Sequence, residues 1–201
     1  MSAYHTTSLP AGNDLLIIPF ATREVWEAWL AEHHASSAGL WLKIAKAASR
    51  TQSVSYAEAL DSALCYGWID GQKGAFDENF WLQRFTPRKP RSKWSKINRA
   101  RAEALIETAE MKPAGLREVE RAKSDGRWDA AYAGQRTATI PDDLREELDK
   151  NEQAREFFST LGSVNRYAIL YRIQDAKKPV TRRRRIATFI AMLNEKKTIY
   201  P

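Results

Sequence analysis

Residues 55–85, SYAEALDSALCYGWIDGQKGAFDENFWLQRF, decide the fold because they hold a helix start, a helix stop and two strands in succession. Ser55 and Glu58 have the spacing of a capping box, in which the serine hydroxyl accepts from the backbone three residues on and the glutamate accepts from the serine amide. An apolar stripe at helical spacing follows, and Gly67 supplies a left-handed stop. The pattern predicts a helix over residues 55–66.

Working outward, residues 68–73 and 79–85 are predicted as two strands joined by a short connection, which makes them antiparallel neighbours. Residues 15–20 and 39–46 add two further strands. The predicted fold class is α+β: a small, mainly antiparallel sheet of about four strands packed with helices, followed by an all-helical C-terminal region. The other helices of the sheet region are predicted over residues 22–34, 95–110 and 113–124.

A polar stretch over residues 134–139 marks the predicted domain boundary. Residues 1–12 are polar and aperiodic, and are predicted to be a flexible tail. Residues 13–134 form the predicted α+β domain that carries the candidate site, and residues 140–201 form the predicted helical region. The helices of that last region are predicted to begin at Pro141, Asn151, Ser163 and Thr181.

The net charge of +7 is concentrated in two blocks. Residues 88–101 hold seven basic residues and no acidic one, and residues 177–185 hold six and none. Without these thirteen, the 32 basic residues of the chain fall to 19, against 25 acidic residues. Two basic patches on an otherwise mildly acidic chain indicate local recognition of anions, or two solvated helix faces.

The composition argues against several other classes of protein. A single cysteine, Cys65, excludes an internal disulfide framework, and His5, His33 and His34 lack the paired spacing of a zinc site. The aliphatic run over residues 15–18 is too short for a signal peptide or a membrane span, and no basic segment precedes it. We therefore expect a cytoplasmic protein with no membrane span, no bound metal and no cofactor.

The candidate site lies between Gly67 and Asn98, where aromatic, acidic, amide, hydroxyl and guanidinium groups gather around predicted strand ends and one helix start. Arginine forks, hydroxyl donors, a stacking ring and free amides at the start of the helix suit a small anionic or phosphate-bearing ligand. The same residues also suit a purely structural role, as a helix cap, a core tryptophan and a solvated rim. The candidate ligand-binding residues are Trp68, Asp70, Arg84, Arg88, Ser92, Trp94, Ser95 and Asn98.

Two alternative functions stay open. Arg182, Arg183, Arg184 and Arg185 stand at a predicted helix start, where they bind a nucleic-acid backbone or pair with acidic residues such as Asp175. Together with the first block they define a nucleic-acid-binding alternative.

The second alternative is an enzyme of unrecognised class with Asp70 as its base, although an ion pair with a nearby arginine is the commoner use of such a carboxylate. The sequence contains no nucleophile elbow, phosphate-binding loop or dinucleotide motif, so no catalytic residue is assigned.

Several motifs resemble those of the YdeI/OmpD-associated family of bacterial proteins. They lie at residues 64–71, 84–88, 92–98, 111–115 and 125–128, and a second signature lies at residues 176–186. The resemblance implies a bacteriocin-protection role, or one in resistance to stress and antimicrobial peptides, without an established reaction. Some members of the family are predicted to be periplasmic, an expectation that the lack of a signal peptide places in doubt here.

Overall fold

A computed structural model describes residues 15–201, so the tail predicted over residues 1–12 lies outside the described residues. The described chain divides into two compact units. The first contains residues 15–94 and 98–130, and the second contains residues 95–97 and 131–201. The first unit is therefore interrupted by three residues that belong to the second.

The first unit is built on a four-stranded mixed sheet in the order β1-β2-β4-β3. The strands are β1 (Ile17–Pro19), β2 (Leu40–Ala45), β3 (Trp68–Ala75) and β4 (Phe80–Pro87). β1 pairs with β2 in parallel, whereas the β2–β4 and β3–β4 pairings are antiparallel. The predicted α+β class and the mainly antiparallel sheet of about four strands are confirmed.

A bulge interrupts the β3–β4 ladder between Asp70 and Lys73. The side chain of Gln83, which is 4% exposed, compensates for the lost backbone pairing there. Its amide nitrogen donates to the carbonyl oxygens of Gly71 at 2.9 Å and Gln72 at 3.2 Å. These bonds satisfy carbonyls that the bulge removes from the ladder.

Helices α1 (Arg23–His33) and α2 (Tyr56–Cys65) accompany the sheet. The predicted capping box is present at the start of α2, since Ser55 accepts from the Glu58 amide and the Glu58 carboxylate accepts from the Ser55 amide. The ring of Trp26 stacks on Trp29 at 5.5 Å, and both rings meet Trp68 edge-on. These tryptophans form the aromatic centre of the core.

Helices α3 (Lys96–Glu107) and α4 (Pro113–Ser124) follow the sheet. A close approach between α4 and the end of α2 depends on Gly115. A Cβ atom at this position would lie 2.5 Å from the carbonyl oxygen of Cys65 and 2.6 Å from that of Leu64. Only a residue without a side chain allows α4 to pass this close to the backbone of α2.

The second unit is helical, as predicted, with α5 (Asp142–Asp149), α6 (Glu152–Thr160), α7 (Ser163–Gln174) and α8 (Pro179–Asn194). α8 begins at Pro179, two residues before the predicted start, because proline at the first helical position has its φ already set for a helix. Asn151 precedes α6, but its side chain makes no cap bond. Across residues 15–201, no helix is both long and apolar enough to cross a membrane. The core of the unit contains Leu144, Leu148, Phe158, Ile169, Ile173, Ile186, Ile190 and Leu193.

Candidate functional site

Arg88 follows the last residue of β4, and three contacts hold its backbone and side chain in place. Its backbone amide donates to the carbonyl oxygen of Gly67 at 3.0 Å, which ties the end of β4 to the start of β3. Its guanidinium lies 3.5 Å from the ring centroid of Trp94 and donates to the carbonyl oxygen of Lys93 at 3.2 Å. The residue is only 5% exposed, so a full positive charge is held in a largely desolvated position.

Trp94 packs its ring against the Arg88 guanidinium. Its ring is 2% exposed and meets the ring of Trp128 edge-on at a centroid distance of 4.8 Å. Because Arg88 and Trp128 already contact it, the ring acts as a platform for the guanidinium. In the structure this tryptophan belongs to the core of the first unit.

Ser92 shapes the turn that links Arg88 to Trp94. Its hydroxyl accepts from the amide of Lys89 at 2.9 Å, and its amide donates back to the Lys89 carbonyl oxygen at 2.9 Å. Arg127 donates to the Ser92 carbonyl oxygen at 2.7 Å. Ser92 therefore orders the backbone of the basic block.

A cleft of about 180 Å³, which we call the Arg88 cleft, opens beside this guanidinium. Two of the eight candidate site residues, Trp68 and Arg88, line it. The nitrogen of the Trp68 ring donates to the carbonyl oxygen of His34 at 3.0 Å, so the indole forms a fixed wall. The lining residues are His34, Ala35, Tyr66, Gly67, Trp68, Pro87, Arg88, Ala114, Arg117 and Glu118.

The charge of the Arg88 cleft is positive. Arg88 and the exposed Arg117 supply two cations, and Glu118 is the one carboxylate in the lining. Glu118 forms an ion pair with Arg121, one turn further along α4, so its charge is largely neutralised. The lining therefore carries a net positive charge.

Asp70 and Asn98 form a separate polar cluster with Tyr56. The Tyr56 hydroxyl donates to the Asp70 carboxylate at 2.8 Å, and the Asn98 amide lies 3.5 Å from the other oxygen of that carboxylate. Burial raises the pKa of the Tyr56 phenol, and the charge and hydrogen bond of Asp70 raise it further. Asp70 is thus a hydrogen-bond acceptor that orients its neighbours, and it does not line the Arg88 cleft.

Arg84 and Ser95 lie elsewhere. Arg84 is opposite Trp41 in the β2–β4 ladder and points to the other face of the sheet from the core residue Phe85. Ser95 belongs to the second unit and forms an isolated parallel bridge with Tyr132.

The backbone amides at the start of α3 were predicted to be free to bind an anion. For the first amide of the helix, that of Lys96, this prediction is wrong. The Lys96 amide donates to the carbonyl oxygen of Tyr132 at 2.8 Å, so this donor is not available to an anion.

The arginines of the second basic block differ in their contacts. Arg182 binds Asp143 through two nitrogens at 2.5 and 2.8 Å, and this contact lowers the pKa of the Asp143 carboxyl. Arg185 donates to a backbone carbonyl oxygen of α7 and lies 3.7 Å from Asp175. Arg183 and Arg184 are exposed. Two of the four arginines of this block therefore have an intramolecular role.

Metal-binding clusters and reactive thiols are both absent from the described residues. Over residues 15–201, no three His, Cys, Asp or Glu side chains converge in a way that holds a metal ion. Cys65 is buried in the last turn of α2, and burial raises the pKa of its thiol to about 11. A neutral thiol of this kind is a weak nucleophile at physiological pH.

Three residues that line the Arg88 cleft were not among the candidates predicted from the sequence: His34, Tyr66 and Arg117. They come from the ends of α1 and α2 and from α4, and only the packing of those helices brings them together. The motif around Gly67 was the nearest available signal, because Tyr66 and Trp68 flank it.

Two family models match the chain. Residues 18–118 match the model described as a domain of unknown function (DUF8412), and residues 137–196 match the model described as Bacteriocin-protection, YdeI or OmpD-Associated. The second match confirms the resemblance inferred from the sequence, and it covers the helical region. Most of the central motifs that carried the resemblance lie inside the first match. No curated protein and no solved structure matches the chain.

Proposed function

Because the chain belongs to the family described as a domain of unknown function (DUF8412), we propose a function from the geometry of that domain: its α+β unit binds a small anionic ligand in the Arg88 cleft. The observation that carries the proposal is that Arg88, a residue only 5% exposed, nevertheless lines an open cleft. An arginine guanidinium keeps its charge at physiological pH, and its planar fork matches the geometry of phosphate and carboxylate groups, so one held in place at a cleft suits an anionic ligand.

The surroundings of Arg88 suit recognition of a fixed geometry. Trp94 and the Lys93 carbonyl oxygen hold the guanidinium plane in place, so little side-chain entropy is lost when a ligand binds. Arg117 adds a second, exposed cation to the lining, from α4. A cleft of about 180 Å³ is smaller than a typical site for a drug-sized molecule, so we expect a phosphate or carboxylate group, free or at the end of a larger ligand.

The test is a titration with phosphate, sulfate, acetate and oxalate, followed by tryptophan fluorescence, because Trp68 lines the cleft. Arg117→Gln should weaken binding about tenfold without a change in melting temperature, since the loss of one charged hydrogen bond costs about 1.5 kcal/mol. Arg88→Gln should abolish binding and also lower stability, because Arg88 is buried. Arg117→Gln therefore isolates the binding effect.

Arg50→Gln is the matched control, because Arg50 is an exposed arginine of the same unit that does not line the cleft. Its affinities should equal those of the unchanged protein. The proposal fails if none of the four anions binds, or if Arg117→Gln and Arg50→Gln bind equally well.

The biological role that we propose is protection against stress or antimicrobial peptides in the cytoplasm. Its support is the match of residues 137–196 to the model described as Bacteriocin-protection, YdeI or OmpD-Associated. A strain that lacks the protein should survive a bacteriocin or cationic peptide challenge less well, and the unchanged protein should restore survival. Equal survival with and without the protein would refute this role, and fractionation of the cells would test the location.

A second candidate function is nucleic-acid binding, and the charge at the start of α8 favours it. Lys177, Lys178, Arg183 and Arg184 are all exposed, and none of them has a carboxylate partner among residues 15–201. Neutralising Arg183 and Arg184 together should reduce the slope of log K against log salt by about 1.8, because each phosphate contact contributes about 0.9. Binding that does not change with salt concentration would rule this function out.

A further inference from the structure

The second unit contains a larger cleft, of about 330 Å³, which we call the Tyr200 cleft. Tyr167, Tyr171 and Arg172 line it from one face of α7, Gln135 contributes from the loop before α5, and Tyr200 closes it from the segment after α8. Within this lining there is one cation and no carboxylate. The cleft is independent of the Arg88 cleft, which belongs to the first unit.

The tyrosines of α7 are held in defined orientations. The ring of Tyr171 meets the ring of Tyr132 edge-on at 5.2 Å and an interplanar angle of 90°, and it lies 5.9 Å from the ring of Tyr167. The Tyr167 hydroxyl donates to the carbonyl oxygen of Ala133 at 3.0 Å. These contacts fix the rings of Tyr167 and Tyr171, and both residues also line the cleft.

Tyr200 is positioned by a single asparagine. The side-chain oxygen of Asn165 accepts from the amides of Ile199 at 3.0 Å and Tyr200 at 2.9 Å, and its amide nitrogen donates to the Tyr200 carbonyl oxygen at 3.1 Å. These three bonds use only the backbone of the segment, so they leave the phenol ring of Tyr200 on the cleft. Tyr200 as a residue is 46% exposed.

Arg172 lies at the Tyr200 side of the cleft. Its guanidinium is 5.6 Å from the centroid of the Tyr200 ring and 3.4 Å from the phenol oxygen. Arg172 makes no ion pair with a carboxylate in the described part of the chain. The cleft therefore combines stacking surfaces, a cation and, in Gln135, an amide that both donates and accepts.

We propose that the Tyr200 cleft binds a planar heteroaromatic ligand that carries an acidic group, the chemistry of a mononucleotide. The ring stacks between Tyr200 and the tyrosines of α7, the acidic group pairs with Arg172, and Gln135 reads the polar edge of the ring. A volume of about 330 Å³ is at the lower end of the range for small-molecule sites, which fits one base with its sugar and phosphate.

The test is calorimetric titration of the full chain with AMP, CMP, adenosine and ribose 5-phosphate. AMP or CMP should bind at least tenfold more tightly than adenosine, which lacks the acid, and than ribose 5-phosphate, which lacks the ring. Tyr200→Leu should weaken nucleotide binding about tenfold, because stacking on an aromatic ring contributes this much or more. Arg172→Gln should weaken AMP binding about tenfold and leave adenosine binding unchanged.

Two controls separate this site from charge in general and from the Arg88 cleft. Arg155→Gln removes an exposed arginine of α6 that is not part of the lining, so it should leave the AMP affinity unchanged. Arg117→Gln, in the first unit, should weaken only binding of phosphate in the Arg88 cleft, so AMP bound in the Tyr200 cleft should keep its affinity. The proposal is overturned if neither nucleotide binds at millimolar concentration, or if Tyr200→Leu and Arg172→Gln bind AMP as tightly as the two controls do.

Discussion

Replacing Gly115 with alanine should separate α4 from the end of α2. The new Cβ atom would lie 2.5 and 2.6 Å from the carbonyl oxygens of Cys65 and Leu64, and the Met111 sulfur would also be too close. The two oxygens belong to the backbone of the last turn of α2, so neither can rotate away as a flexible side chain would. The whole contact between the two helices has to shift.

The expected net effect is the difference between two opposing contributions. Overpacking of a rigid contact costs about 1–3 kcal/mol, and backbone neighbours place Gly115 near the upper limit. Alanine in place of glycine inside a helix returns about 1 kcal/mol. We expect a net loss of about 2 kcal/mol, which for a chain of this length corresponds to a fall in melting temperature of about 4–8 °C.

Urea denaturation followed by tryptophan fluorescence measures this loss selectively, because all seven tryptophans lie between Trp26 and Trp128, within the first unit. Gly71→Ala is the control, since its Cβ atom would meet only atoms of Arg84 at 3.7 Å or more. That variant should stay within about 0.5 kcal/mol of the unchanged protein. If Gly115→Ala is as stable as the unchanged protein, helix propensity outweighs the clash and the predicted loss of stability is refuted.

Three other perturbations have defined outcomes. Ser55→Ala should destabilise the first unit by about 1 kcal/mol in the same urea assay, because it removes the capping box. Asn165→Ala should increase amide hydrogen exchange at Tyr200, where it removes the acceptor, and leave exchange in the first unit unchanged. Because Arg182 lowers the pKa of Asp143 in the folded state, that carboxylate stabilises the fold above its unfolded pKa of about 3.9, and the contribution is lost as the pH falls through the folded value. The stability difference between the unchanged protein and Asp143→Asn should therefore shrink in acid, and a difference that stays constant between pH 7 and pH 3 would contradict this reasoning.

Local signals in the sequence predicted the elements of the fold well. The capping box at Ser55 involves a residue three positions further along the chain, and the stop at Gly67 depends on the backbone conformation of one residue. Both can therefore be recognised without knowledge of the tertiary structure. The start of the last helix was less accurate: Thr181 was predicted to begin α8, which begins at Pro179. The proline fits the first turn, but the sequence pattern also allowed it to precede the helix.

The candidate site was harder to predict because proximity along the chain does not determine which side chains meet. Arg84 and Arg88 are four residues apart, yet one lies on the far face of β4 and the other lines a cleft. Arg88 and Trp94 were both predicted as candidates from the sequence. The contact between the Arg88 guanidinium and the Trp94 ring was not predicted.

The Tyr200 cleft was missed altogether, because Tyr200 meets α7 only through contacts about 30 residues apart in sequence.

The bulge in β3 has a consequence for the behaviour of the protein at high concentration. β3 is an edge strand of the sheet, and unpaired edges are templates on which other chains add strands and aggregate. Gln83 engages the carbonyl oxygens of Gly71 and Gln72 from within the sheet, and Lys73 places a charge beside them. At the other edge, β1 has only three residues and ends in Pro19, which has no amide hydrogen to donate. Neither edge offers a long, regular row of backbone groups for another chain to extend.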